Sequence, residues 1–163
     1  MMLATILVLT ECRSRESNAQ NSATASMTVA NRVDHGQSAA DTTPAGVLRR
    51  YYEAIQSHRY DDAYAIWSDS GRASGQTSAA FAAGFGQTTR VNATVGDSVH
   101  VEGAAGSQYA TVPVIVDATL SSGDRQRFVG TYTLRRSLVD GASPEQRSWQ
   151  IYSADLRQPS RVK

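Results

Sequence analysis

The chain has 163 residues, which is enough for one domain of ordinary size after a tail is subtracted. Its 16 basic and 15 acidic residues give a formal charge of +1, which argues against a dedicated nucleic-acid binder, since such a protein carries a basic excess on one face. The single cysteine excludes an intramolecular disulfide and a zinc site built from cysteines.

The first twelve residues form an apolar leader that ends at Cys12. Its apolar run is too short to span a bilayer, which needs about 20 apolar residues, but it approaches the apolar region of a secretory signal. Leu9-Thr10-Glu11-Cys12 resembles a bacterial lipoprotein signal, in which the cysteine becomes lipidated, although Glu11 stands where a small uncharged residue is expected. We expect an exported, periplasmic protein with a lipid anchor on Cys12; the alternative is a frayed N-terminus with an incidental cysteine.

Residues 13–43 are rich in Ser, Thr, Ala, Asn, Gln and Arg, and their few apolar residues follow no helical or strand period. Such a segment buries too little apolar surface to offset its ordering entropy. We therefore predict a disordered polar tether between the lipidated cysteine and the domain. A disordered tail with no role is the alternative.

A folded domain is predicted over residues 44–158, followed by a short tail over 159–163. Thr43 can cap the first helix and Pro44 can take its first position, where a missing N–H costs nothing. Apolar residues at spacings of three and four mark the buried side of this helix, and Asp61 can cap a second helix. The predicted helices are 44–57, 61–69 and 78–85.

After Gln87 the apolar pattern changes to a period of two, which is typical of half-buried strands. Ser121–Asp124 and Asp140-Gly141 are turn signals between such runs. Because Pro113 cannot donate to a strand ladder, its strand is predicted to be an edge strand or bulged there. The predicted strands are 90–102, 108–120, 125–138 and 147–156. The fold class is α+β, with three N-terminal helices packed on a curved antiparallel four-stranded meander.

Two helical segments carry a family resemblance. Tyr51-Tyr52-Glu53-Ala54-Ile55, a short polar gap and Tyr60-Asp61-Asp62-Ala63-Tyr64 resemble the opening helical hairpin of the nuclear-transport-factor-2-like superfamily, which has a cystatin-like cone fold. The resemblance implies a sheet curled around the long helix into a cone with an apolar pocket, and a homodimer through the sheet. The superfamily hosts isomerases, dehydratases, immunity proteins and binding modules, so the fold alone does not decide the function.

An enzyme of the isomerase or dehydratase type needs a buried acid or base in the cone. Asp97 is the weak candidate, because it shares the inward phase of Val95 and Val99. Gly96-Asp97 is also typical of a bend that would aim the carboxylate at solvent, and we favour that interpretation. The sequence shows no His–Asp dyad, phosphate-binding loop or metal-ligand spacing, so we predict no catalytic residue, cofactor or metal.

The favoured hypothesis is a non-catalytic binding or interaction module of the bacterial cell envelope. It would hold a small apolar ligand or a protein partner, bind no nucleic acid, and reach the membrane only through its lipid. One alternative is a small isomerase-like or dehydratase-like enzyme. Another is an inhibitor or immunity-type protein that uses the outward arginines Arg125, Arg127 and Arg135 as a partner face. The predicted pocket residues are Tyr52, Trp67, Phe81, Tyr132 and Trp149.

Overall fold

The computed structural model describes residues 42–97 and 99–159, all of which belong to one compact unit. The predicted leader, Cys12, most of the predicted tether and the last four residues lie outside the described residues. The described residues form an α+β fold, as predicted. Its helices are α1 (Pro44–Gln56), α2 (Tyr60–Ala65), α3 (Ser78–Gly84) and α4 (Pro144–Arg147), with a 3-10 turn at Arg72–Ser74. Its strands are β1 (Thr88–Val95), β2 (His100–Ala104), β3 (Ser107–Leu120), β4 (Arg125–Ser137) and β5 (Gln150–Arg157).

Helix α1 begins as the sequence predicts. The Oγ1 atom of Thr43 accepts a hydrogen bond of 3.0 Å from the backbone N–H of Gly46, and Pro44 occupies the first turn. One side of the helix is buried against the sheet, including Leu48, Tyr51 and Tyr52.

Helix α2 is shorter than predicted, and its predicted cap is wrong. The residue before the helix is Arg59, while the Asp61 carboxylate accepts a hydrogen bond of 2.6 Å from the Ser78 hydroxyl. The helix ends at Ala65 because the backbone that follows joins the last strand. The N–H of Ile151 donates to the carbonyl of Ile66 at 2.9 Å, and the N–H of Ser68 donates to the carbonyl of Ile151 at 2.8 Å.

The sheet has five strands and not four, because the predicted strand 90–102 is broken into β1 and β2. Both pair antiparallel with β3, and the sheet continues from β3 to β4 and β5. At the break, the N–H of Gly96 donates to the carbonyl of Pro113 at 2.9 Å. Pro113 has no backbone N–H, so it cannot donate a second hydrogen bond to the first strand. Strand β1 can therefore end there without breaking a hydrogen bond of the sheet. The strand of Pro113, β3, was predicted to be an edge strand or to be bulged at Pro113. It is instead a central strand, and the interruption lies opposite Pro113, between β1 and β2.

The alternating pattern of β3 places its apolar side chains against the helices, as predicted. Ala110, Val112 and Val114 are buried on this inner face, and Leu134 and Ile151 contribute fully buried side chains from β4 and β5. Both outer edges of the sheet are partly covered. The Gln56 side chain accepts a hydrogen bond of 2.7 Å from the N–H of Val91 in β1, and the segment 66–68 covers β5.

Helix α4 was not predicted. Ser143 caps it in a capping box, in which its hydroxyl accepts from the N–H of Gln146 and the Gln146 side chain accepts from the N–H of Ser143. None of the helices in residues 42–97 and 99–159 has the length and apolar character needed to traverse a bilayer.

Candidate functional site

A cleft of 320 Å³ lies between the C-terminal half of α1, the end of α3 and the inner face of the sheet. We call it the apolar cleft. Carbon-rich side chains dominate its wall, and its polar groups are phenols, one threonine and one glutamine. Its lining residues are Tyr51, Tyr52, Ile55, Gly84, Phe85, Thr88, Val91, Val116, Ala118, Gln126, Phe128, Tyr132 and Leu156.

The strand register explains why space remains here. Val116 pairs with Phe128, and Ala118 pairs with Gln126, so small side chains of β3 face longer ones of β4. Gly84 at the end of α3 contributes no side chain, and a Cβ added there meets nothing within 4 Å. The core is filled elsewhere by larger residues, and the cleft is the part of the inner face that these small residues leave open.

Two phenols meet at the wall of the apolar cleft. The hydroxyl oxygens of Tyr52 and Tyr132 are 2.7 Å apart and form a buried hydrogen bond in which either can be the donor. The Tyr51 ring packs edge-on against Tyr52, with centroids 5.0 Å apart, and lies 6.0 Å from Tyr132. The Tyr52–Tyr132 bond uses one of the two hydroxyl protons, so one of these phenols, both of which line the cleft, keeps a proton that this bond does not use.

These phenols are neutral at ordinary pH. Burial raises the pKa of Tyr52 above its usual value, and it raises the pKa values of Tyr51 and Tyr132 as well. The proximity of Tyr132 adds to the increase for Tyr51, and that of Tyr52 adds to the increase for Tyr132. The site therefore presents hydrogen-bond donors and no negative charge.

Two of the five predicted pocket residues, Tyr52 and Tyr132, line the apolar cleft, and the other three do not. Trp67 and Phe81 are buried in the ring cluster around Tyr51, with centroid distances of 6.3 Å and 6.4 Å. Trp149 lies under the guanidinium of Arg136, which is 4.7 Å from its ring centroid. Trp67 and Phe81 complete the core and line neither this cleft nor any other described one, whereas Trp149 borders a separate cleft at the N-terminal half of α1.

Several lining residues were missed by sequence reasoning. They include Tyr51 of α1, Phe128 of β4 and Leu156 of β5. One sequence signal could have located the cleft. Near the turn between β3 and β4, small inward residues are paired with large ones, as Ala118 is with Gln126.

The Asp97 side chain points away from the inner face. It is 93 % exposed, and its Oδ1 atom lies 2.9 Å from Nη2 of Arg49. The bend at Gly96-Asp97 is thus confirmed, and the condition for a buried general base at Asp97 is not met. His58 is exposed in the interhelical loop, and the exposed His100 lies 2.8 Å from Glu102.

The three predicted arginines of the partner face lie on the outer side of the sheet but do not form one patch. Arg127 donates two hydrogen bonds to the carboxylate of Asp117, at 2.7 Å and 3.0 Å, and these hold the pKa of Asp117 below its usual range. Arg135 donates to the Ser107 hydroxyl. Arg125 and Arg135 are separated by about 33 Å of strand, given the rise per residue of β-structure. Binding of a partner or of a second copy to this face stays a prediction.

The donor set for a metal ion is missing from residues 42–97 and 99–159. No group of three or more His, Cys, Asp or Glu side chains in those ranges could hold a metal ion.

No protein-family model matches the chain, and no curated protein sequence matches it. Among solved structures it is similar to a candidate dehydratase of the nuclear-transport-factor-2-like family from Streptomyces avermitilis. The identity is 17%, over 71% of this chain and 93% of that chain, with a TM-score of 0.48. It is also similar to a protein from Kribbella flavida, at 15% identity over 68% of this chain and 92% of that chain, with a TM-score of 0.39. These likenesses concern the fold, and no activity is carried over from them.

Proposed function

We propose that the domain is a non-catalytic binding module that holds a small, uncharged and mainly apolar molecule in the apolar cleft. The observation that carries this proposal is a cleft of 320 Å³ with the Tyr52–Tyr132 hydroxyl pair in its wall. The volume falls at the lower end of the about 300–1,000 Å³ of small-molecule sites.

The chemistry of the wall defines the ligand. Apolar side chains favour a hydrocarbon body, since burial contributes about 25 cal/mol for each Å² removed from water. The spare phenol proton favours one carbonyl or hydroxyl oxygen on that body. None of the described residues that line the cleft is a cation, so a carboxylate ligand would lose its hydration without gaining an ion pair.

The composition of the same wall supports binding without turnover. The described residues that line the cleft include no carboxylate, imidazole, thiol or amine. Their only acid–base groups are the phenols of Tyr51, Tyr52 and Tyr132, which burial keeps protonated, so the described wall offers a proton donor but no general base. The enzyme alternative requires Asp97 next to a phenol, and that carboxylate lies at the exposed bend.

The test compares indanone with indane, which differ by one carbonyl oxygen. We expect the full chain to bind both in calorimetry or saturation-transfer NMR, with indanone about two to twelve times tighter, as a neutral hydrogen bond contributes about 0.5–1.5 kcal/mol. The double variant Tyr52→Phe/Tyr132→Phe should remove the preference for the ketone while leaving indane binding in place, because either phenol alone would still have a hydroxyl proton to donate.

Gly84→Leu tests whether the cleft itself is the site. The new side chain meets no atom at its Cβ and should occupy the cleft, so binding of both probes should be lost. Gly103→Leu is the matched control, because Gly103 lies in β2 away from the cleft and its Cβ also meets nothing within 4 Å. Failure of both probes to bind at millimolar concentration, or unchanged binding in Gly84→Leu, would contradict the proposal.

We also propose that this module is exported and attached to the cell envelope through Cys12. The support is the resemblance of Leu9-Thr10-Glu11-Cys12 to a lipoprotein signal and the polar composition of residues 13–43. Palmitate labelling and globomycin-sensitive processing should be seen in the native chain and lost in Cys12→Ala. A full-length, unlabelled protein in the cytosol would end this proposal without affecting the ligand proposal.

A further inference from the structure

A second cleft, of 200 Å³, lies at the N-terminal half of α1 and is lined by three arginines. Arg50 comes from α1, Arg136 from the end of β4 and Arg147 from α4. We call it the arginine cleft. It shares no lining residue with the apolar cleft, so the two clefts can take different ligands independently of one another.

Two of these guanidinium groups are held in place through their Nε atoms. Nε of Arg136 donates to the Gln108 side chain at 2.8 Å, and the guanidinium lies 4.7 Å from the ring centroid of Trp149. Nε of Arg147 donates to the carbonyl of Ala142 at 3.0 Å. These bonds leave the terminal nitrogens of both groups available as donors.

The described residues that line the arginine cleft supply no counter-charge to its guanidinium groups. Among the residues that the structure describes, no carboxylate oxygen lies within 4.0 Å of Arg50, Arg136 or Arg147, and no acidic residue lines the cleft. Arg136 also lines a neighbouring polar cleft with Asp69 and Asp140, and neither of these carboxylates reaches a guanidinium. Cations that converge without an anion repel one another, and a bound anion removes that repulsion.

We propose that the arginine cleft binds a phosphoryl group. Three guanidinium groups from three elements approach one small space, and a tetrahedral phosphoryl group offers oxygens in three directions. A carboxylate has two oxygens in one plane and suits one guanidinium fork better than three. The hydroxyl of Ser148 lines the same space, and the first turn of α1 contains no acidic residue, so the positive end of its dipole is not offset there.

The experiment uses the full chain and two sources of phosphoryl groups. Inorganic phosphate is titrated by calorimetry at low salt, and vesicles of phosphatidylcholine with or without phosphatidic acid are tested by co-sedimentation. We expect phosphate to bind, and Arg50→Ala and Arg147→Ala each to weaken it at least tenfold. Arg72→Ala removes the same charge at an exposed position outside the described clefts and should leave the affinity within twofold.

Each outcome decides the proposal. Binding of inorganic phosphate alone indicates a soluble phosphorylated ligand. Binding of phosphatidic acid vesicles alone indicates a lipid headgroup. Either result supports the phosphoryl site. Absence of both, equal weakening by Arg72→Ala, or equal affinity for succinate would overturn it. Arg147 is exposed, so Arg147→Ala keeps the test valid even if Arg50→Ala impairs folding.

Discussion

Raising the pH above about 10 should destabilise the domain steeply, because burial raises the pKa values of Tyr51, Tyr52 and Tyr132 above that of a phenol in the unfolded chain. Their pKa values are raised in the folded state, so the stability that they contribute is fully present below the unfolded value of about 10 and is lost as the pH rises above it. Each such group lowers the free energy of unfolding by about 1.4 kcal/mol per pH unit, or about 4 kcal/mol together. That is a large part of the about 5–15 kcal/mol of a typical domain.

Urea denaturation at a series of alkaline pH values measures this slope. Lys163 is the single lysine of the chain, so lysine ionisation adds almost nothing to the charge changes in this range. Tyr52→Phe and Tyr132→Phe should each reduce the slope by about one third. Tyr152→Phe, at a half-exposed position, is the control and should leave the slope unchanged. A full rise of tyrosinate absorbance before circular dichroism changes would show that the three phenols ionise in the folded state, contrary to this prediction.

Replacing Gly130 by alanine should be among the most destabilising single changes in the domain. A Cβ at Gly130 would overlap the backbone carbonyl oxygen of Asp155 on the neighbouring strand, and a backbone atom cannot rotate away as a side chain can. Strands β4 and β5 must separate locally, so we expect a loss of about 3 kcal/mol or more. For a domain of this size that lowers the Tm by about 10 °C or more.

Gly103→Ala is the matched control for this change. Gly103 also lies in a strand, β2, but its Cβ would meet nothing within 4 Å, so the effect should stay within about 0.5 kcal/mol. Leu156 pairs with Gly130 and lines the apolar cleft, so Gly130→Ala should also weaken indane and indanone. Equal melting temperatures for the two alanine variants would show that the backbones of β4 and β5 do not approach closely at Gly130.

The periodic parts of the fold could be predicted from the sequence, and the parts set by distant contacts could not. The first helix and the inner face of β3 follow local repeats at 3.6 and two residues. The bend at Gly96-Asp97 follows from the local sequence, but its separation of two strands, β1 and β2, depends on Pro113, which lies opposite it, and the early end of α2 depends on Ile151. Neither contact is visible in a local window, because each joins residues far apart in the chain.

The candidate sites, like the fold, could be predicted from the sequence only in part. Tyr52 and Tyr132 were predicted as pocket residues because they are aromatic and lie on inward positions. Trp67 satisfies the same criterion but is packed on all sides, since local patterns do not tell which inward positions border empty space. The arginine cleft was not predicted at all, because Arg50 and Arg147 belong to elements brought together only by the fold.

The bonds between the segment 66–68 and Ile151 bear on how the protein is made. During synthesis, β5 is the last of the described elements to leave the ribosome, and until it arrives β4 exposes a free edge and the end of α2 lacks its hydrogen-bond partner in β5. The domain therefore completes its folding only once β5 has emerged. Chains that stop before Gln150 should expose that edge to other unfinished chains and collect as aggregates.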